Sequence, residues 1–213
     1  MKIISVHAPK AGGSSVKIAL ANAFGPAFEV DYSDDPANPT SQRQLDPKGY
    51  FSRNRSLPDG VRCLHGHFHP GQFNLADTFL FTLLRHPVDN IVSIYFFWKM
   101  LPSQGQPLHD LFLARGMSIL QMASLPLLQY LYSGTYFGGF DMSRFGLIGR
   151  HEDRAAALGK LSEVSGIRID DDVRVNVTAA SVERERMLAD KAQMGQLHDL
   201  LAEDIRFYER WCG

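Results

Sequence analysis

Lys2–Leu20 reads KIISVHAPKAGGSSVKIAL, and the reading of this stretch decides the fold. Ile3, Ile4, Val6 and the small Ala8 form a short apolar, partly β-branched run. It passes through Pro9, Lys10, Ala11, Gly12, Gly13, Ser14 and Ser15 into the apolar segment Val16 to Leu20. A short strand, a glycine-bearing turn and a helix start form the unit that holds phosphate groups. Gly12 and Gly13 let the backbone approach an anion without a Cβ in the way. Ser14 and Ser15 supply N-cap hydroxyls, and the first-turn N–H groups of the helix face whatever negative group sits there. Lys10 adds a point charge beside that nest.

The loop is not a nucleoside-triphosphate P-loop. That motif carries its lysine after the glycines, followed by a magnesium-binding Ser or Thr; here the lysine comes first. The residues alone leave open an ordinary strand-to-helix turn that uses its glycines for geometry.

Working outward, the first helix ends near Phe24-Gly25-Pro26, and Phe28–Tyr32 suits a short strand. Ser33 to Pro58 is rich in Asp, Pro, Asn, Ser and Gln and reads as a long surface excursion. Lys48, Arg53, Arg55 and Arg62 along its second half are either scattered surface charge or the rim of an anionic site. Val61–Leu64 is a second apolar run, ending in His65-Gly66-His67. Thr78–Leu84 (TFLFTLL) is apolar on both faces and suits the middle of a parallel sheet. Pro87 opens a largely buried helix over Val88 to Lys99. Shorter helical pieces follow between Gly105 and Gly139, then a strand at Phe145–Ile148 and an amphipathic helix over His151–Gly166. Arg174–Ala180 is irregular, and Ser181–Trp211 is helical with a break near Gly195. The alternation of strands and helices predicts a P-loop-like three-layer α/β/α sandwich. Its parallel sheet should hold about four to five strands, in one domain spanning residues 1–213.

Net charge is −1, from 22 basic and 23 acidic side chains, so no nucleic-acid partner is expected and any anion site must be built locally. Two cysteines, Cys63 and Cys212, make no disulfide framework and point to a reducing compartment. There is no signal-peptide pattern before the first strand and no apolar run of about 18 residues to span a bilayer. The expectation is a cytoplasmic protein without a transmembrane segment, in which the sequon at Asn176-Val177-Thr178 has no consequence.

Three loops follow three expected parallel strands: Pro9–Ser15, His65–Gly71 and Arg85–Pro87. Open α/β sheets bind ligands outside the carboxyl ends of their strands. Neighbouring strands would therefore bring a lysine, two serines, a glycine nest, two histidines and an arginine into one cleft.

These residues resemble a known family. HAPKAGGSSV is similar to the 5′-phosphosulfate loop of the sulfotransferases, and LLRHPVDNIVSIYFFWK to their 3′-phosphate segment. That segment has an Arg-Asp-Pro followed, eight residues after the arginine, by a serine; Arg85 and Ser93 stand at those positions. LHGHFHPGQF resembles the His-Gly-His segment of the carbohydrate 2-O-sulfotransferases that act on uronic acids. The motifs keep the family's order over Met1 to about Lys99. LIGRHEDRAAALGKL and RVNVT are only loosely similar, and His86 replaces the usual aspartate.

The resemblance implies transfer of a sulfuryl group from 3′-phosphoadenosine 5′-phosphosulfate to an acceptor hydroxyl, on a glycan or another hydroxyl-bearing acceptor, with adenosine 3′,5′-bisphosphate as product. Lys10, Gly12, Gly13, Ser14 and Ser15 would hold the 5′ end of the donor, with Lys10 near the bridging oxygen. Arg85 and Ser93 would hold the 3′-phosphate. His67 would be the general base with His65 assisting, a role that suits an imidazole at neutral pH. His69 would be a bystander. No metal is invoked, since no carboxylate or cysteine stands at ligand spacing from the histidines. Two rival readings are a P-loop-type nucleotide or small-molecule kinase, which the loop order disfavours, and a non-catalytic adenine-nucleotide-binding protein, which an intact histidine base disfavours.

Overall fold

The computed structural model describes residues 1–36, 38–171 and 181–213; the expected irregular segment and the sequon lie outside them. In chain order come β1 (Lys2–Val6), α1 (Gly13–Phe24), β2 (Phe28–Asp31), α2 (Gln42–Leu45), α3 (Pro47–Phe51), β3 (Cys63–Gly66), β4 (Thr78–Leu84) and α4 (Pro87–Met100). Then follow α5 (Pro107–Arg115), α6 (Ile119–Ala123), α7 (Pro126–Gln129), β5 (Phe145–Arg150), α8 (Arg154–Ser165), α9 (Val182–Ala189), α10 (Lys191–Leu200) and α11 (Ala202–Cys212). The five strands are all parallel, in the order β2-β3-β1-β4-β5.

Two apolar cores cover the two faces of this sheet. Ile3, Cys63, Phe81 and Leu83 pack under α1 and α8, against Val16, Leu20, Leu158 and Leu161. Ile4, Leu64, Leu80 and Leu84 face the other way, toward Ile91 and Val92 of α4 and Ile205 of α11. Adjacent residues of one strand thus enter opposite layers, which is why β4 carries no polar face. The result is the expected three-layer α/β/α sandwich. Among the described residues, no helix is long and apolar enough to cross a membrane.

Thr78–Leu84 forms its strand with the boundaries read from the sequence, and Pro87 is the first residue of α4. Other boundaries differ. The second apolar run starts its strand two residues late, because Val61 closes a turn onto the Pro58 carbonyl (3.1 Å) before β3 begins. His151 does not start a helix: its N–H donates to the Leu84 carbonyl (2.7 Å), extending the sheet contact, and α8 starts at Arg154. The C-terminal helix breaks at Asp190, whose side chain caps α10, and again at Leu201; Gly195 lies inside α10. The excursion after β2 is not merely surface. It folds into α2 and α3 and buries Tyr50 and Arg43.

Candidate active site

β1 lies between β3 and β4, so the loops after these three strands leave the sheet side by side. The register is Val6 opposite Gly66 on one side and Thr82 on the other, and Thr82 Oγ1 donates to the Val6 carbonyl (2.9 Å). Above them opens a cleft of about 650 Å³. Lys10, Gly12, Gly13, Ser14, Ser15, His67, Arg85 and Ser93 all line it. The structure therefore brings together every expected site residue except His65.

The glycine nest is built as a helix entry. Gly12 caps α1 with φ +86°, a left-handed conformation that disfavours a side chain. At Gly13 a Cβ would fall 1.8 Å from the His7 ring. Gly12 gives the N-terminus of α1 no side-chain cap and no acidic residue sits in its first turn, so the positive end of its dipole is turned to the cleft. Lys10 has φ 56°, a conformation that costs a non-glycine residue about 1 kcal/mol. The chain is pinned there from behind, where Asn90 Nδ2 donates to the Pro9 carbonyl (2.8 Å) and to Tyr132 Oη (2.9 Å). Lys10 Nζ rests 4.2 Å from the centre of the Phe97 ring. Burial, and then the neighbouring Arg85 charge, lowers its pKa.

Arg85 is set by the same hub. Tyr132 Oη accepts from the Arg85 N–H (3.2 Å) and donates to the Arg85 carbonyl (3.0 Å). Asp204 of α11 fixes Tyr132 in turn, accepting the Tyr132 and Ser133 backbone N–H groups at 2.8 and 2.9 Å. Arg85 Nε is buried and, among the described residues, has no hydrogen-bond partner. Ser93, 1% exposed, faces the cleft from the second turn of α4.

Three imidazoles stack at the carboxyl end of the sheet, and two of them, His7 and His67, line the cleft. The His7 ring stacks on His67 (centroids 4.3 Å apart) and on His65 (5.0 Å). His67 Nδ1–H donates to the His7 carbonyl at 2.6 Å, with Tyr136 Oη 3.1 Å from the same nitrogen. A neutral His67 so held carries its lone pair on Nε2. Burial lowers its pKa, and the Asp35 charge and the bond to the His7 carbonyl partly offset that effect.

His65 needs a correction. It is 1% exposed, its Nδ1 is bonded to Ser5 Oγ (2.8 Å), and it borders a small separate void rather than the cleft. Burial takes it down to about 3. His69 is held between the Gly71 N–H and the Gly138 carbonyl. Arg55 bridges to Asp31 (2.8 Å), and none of Lys48, Arg53, Arg55 and Arg62 reaches the cleft.

Sequence reasoning missed His7, His151, Arg154 and Arg184, which also line the cleft. His151 leans over the nest, 2.9 Å from the position of a Cβ on Gly12, with Nδ1 buried and unpartnered. Arg154 pairs with Asp171 at 2.5 Å. Only the RHEDR run at Arg150–Arg154, clustered charge after a strand, could have signalled two of these.

No protein-family profile matches this chain, and no curated protein sequence does. Solved structures similar in shape include two sulfotransferases. One is a sulfotransferase from Alicyclobacillus acidocaldarius, 14% identical, with TM-score 0.41 over 98% of each chain. The other is mouse sulfotransferase SULT7A1 complexed with PAP, 12% identical, with TM-score 0.38 over 91% of this chain. The chain spans 66% of the length of that mouse protein.

Proposed function

We propose that the protein is a sulfotransferase, transferring a sulfuryl group from 3′-phosphoadenosine 5′-phosphosulfate to a hydroxyl of a carbohydrate. The observation that carries this reading is the placing of two separate anion points and an imidazole with an available Nε2 in one cleft. The residues fit the donor: the uncapped α1 N-terminus suits its 5′ end, and the buried, unpartnered Arg85 Nε suits its 3′-phosphate. Ser93 would add a hydroxyl beside Arg85. The donor supplies an activated sulfuryl group and a phosphate leaving group.

His67 Nε2 accepts the acceptor's proton as the new O–S bond forms and the S–O bond to the departing phosphate breaks. Lys10 offsets the negative charge gathering on that phosphate. His67 is then left as an imidazolium whose Nδ1–H stays on the His7 carbonyl. The sugar acceptor is inferred from the His65-Gly66-His67 segment and its likeness to the uronyl 2-O-sulfotransferases.

The test is radiolabelled sulfuryl transfer to a panel of uronic acid-containing, other sugar and phenolic acceptors, with and without EDTA. His67→Ala should lower transfer by about 10²–10⁴-fold while leaving nucleotide affinity near wild type. Because burial lowers the His67 pKa, activity should hold down to a pH below the ordinary imidazole value and fall beneath it. No transfer to any acceptor would sink the reading, and transfer to phenols alone would overturn the sugar assignment.

A further inference from the structure

His7 sits where the transferring group must pass. On the proposed reading, that group lies between the α1 N-terminus, which holds the donor phosphate, and His67, which takes the acceptor proton. The His7 ring spans this interval: one face stacks on His67 at 4.3 Å, and its Nε2 and Cδ2 lie 1.8 Å from where a Gly13 Cβ would be. Its other nitrogen is occupied, with Nδ1 3.0 Å from Tyr32 Oη. Among the described residues Nε2 meets no hydrogen-bond partner, and His7 lines the cleft.

Resting on the sulfotransferase reading, we propose that His7 is a catalytic hydrogen-bond donor to the sulfuryl oxygens, held in its Nε2–H tautomer by the Tyr32 hydroxyl. On this assignment Tyr32 donates its O–H to His7 Nδ1, so the ring's own proton resides on Nε2, the nitrogen left for a ligand of the cleft. Burial raises Tyr32 to about 12, which keeps the phenol protonated through the working pH range. Burial lowers His7 well below the usual imidazole value, so the ring donates as a neutral group and does not repel the proton arriving on His67. His7 transfers nothing: the acceptor proton goes to His67, the sulfur changes partners, and the Nε2–H bond stays intact. A neutral donor aimed at oxygens that gain charge in the transition state acts on rate more than on ground-state binding.

Three substitutions and one spectrum test this. His7→Phe keeps a flat ring in the stack but removes the donor; kcat should fall by about 10²-fold. Affinity for adenosine 3′,5′-bisphosphate, which lacks the sulfuryl group, should stay within about twofold, a negligible change in binding free energy. His7→Gln, which returns an N–H near the Nε2 position, should recover about tenfold over His7→Phe, a part of what one donor supplies. In ¹⁵N-resolved imidazole spectra of the wild-type protein, His7 should show a protonated Nε2 and an unprotonated Nδ1, and Tyr32→Phe should shift that balance. A His7 protonated on Nδ1 overturns the assignment, as does a His7→Phe enzyme with wild-type kcat or a parallel loss of product-nucleotide affinity. Wild-type protein that transfers no sulfuryl group refutes the sulfotransferase reading itself. Turnover that survives His7→Phe refutes only the role of His7.

Discussion

Acidification should destabilise this protein from about pH 6.5 downward, before most of its carboxylates titrate. In the unfolded chain an imidazole charges near pH 6.5, whereas burial holds His65 at about 3 and His69 at about 4 in the folded protein. Both side chains are almost fully enclosed, at 1% and 3% exposure, so solvent screening does not discount these shifts. The folded pKa values are depressed. The unfolded state therefore binds more protons as pH falls, and stability that is whole above about pH 6.5 declines steadily toward pH 4. At about pH 4.5 each unfolded imidazole is about 99% charged and each folded one mostly neutral, a loss of about 2–3 kcal/mol per histidine. Together they remove about 5 kcal/mol, comparable to the whole stability of a modest domain. His7 and His67 are shifted the same way and add to the loss. Asp204, raised by burial, opposes it but acts closer to the carboxylate range. Urea unfolding at about pH 7.5 and about pH 4.5 measures the effect. With a slope of about 2 kcal/mol/M, the midpoint should drop by about 2 M or the protein should already be unfolded. An unchanged midpoint would mean that the histidines charge in place, and the account of a dry imidazole stack would be wrong.

Two further predictions address the nucleotide. Adenosine 3′,5′-bisphosphate should bind about tenfold or more tightly than AMP by calorimetry, the worth of one charge-assisted contact at Arg85. Arg85→Ala should erase that difference, and equal binding of the two by wild type would remove the basis for the assignment. On the proposed reading, in which the ammonium acts on charge that develops during transfer, Lys10→Ala should lower kcat more than it weakens binding of the bisphosphate. A loss of affinity with kcat intact would make Lys10 a phosphate anchor only.

The parts of the molecule legible in the sequence are those whose physics is local. TFLFTLL could only be a strand covered on both faces, Pro87 could only start a helix, and Lys10 through Ser15 carried their own turn chemistry. Alternation placed His65 and His67 on one side of a strand, and both rings do lie against His7. The sequence could not show that His65 is sealed in by Ser5. That contact belongs to the β1–β3 register, in which Ser5 stands opposite His65. His7 was invisible for the same reason, since a single histidine at a strand end has no pattern until the neighbouring strand is laid beside it. His151, Arg154 and Arg184 reach the cleft from just after β5, from α8 and from α9, far along the chain and with only the charged run Arg150–Arg154 to mark the first two. The break at Asp190 rather than Gly195 shows a side-chain cap prevailing over the weaker helix preference of glycine.

The central place of β1 has a consequence for how such a cleft can vary. Glycine nest, arginine and imidazole share one datum, because β3 and β4 both pair with β1. Deleting one residue from β1 would displace its loop by about 3.3 Å and turn its side chains to the opposite layer, so all three would lose calibration at once. The excursion between β2 and β3 is tied into the same frame, since Tyr32 at its start bonds His7 Nδ1 (3.0 Å) and Tyr50 Oη accepts from the His69 N–H (3.0 Å). Change in any one of these segments is therefore felt across the whole cleft.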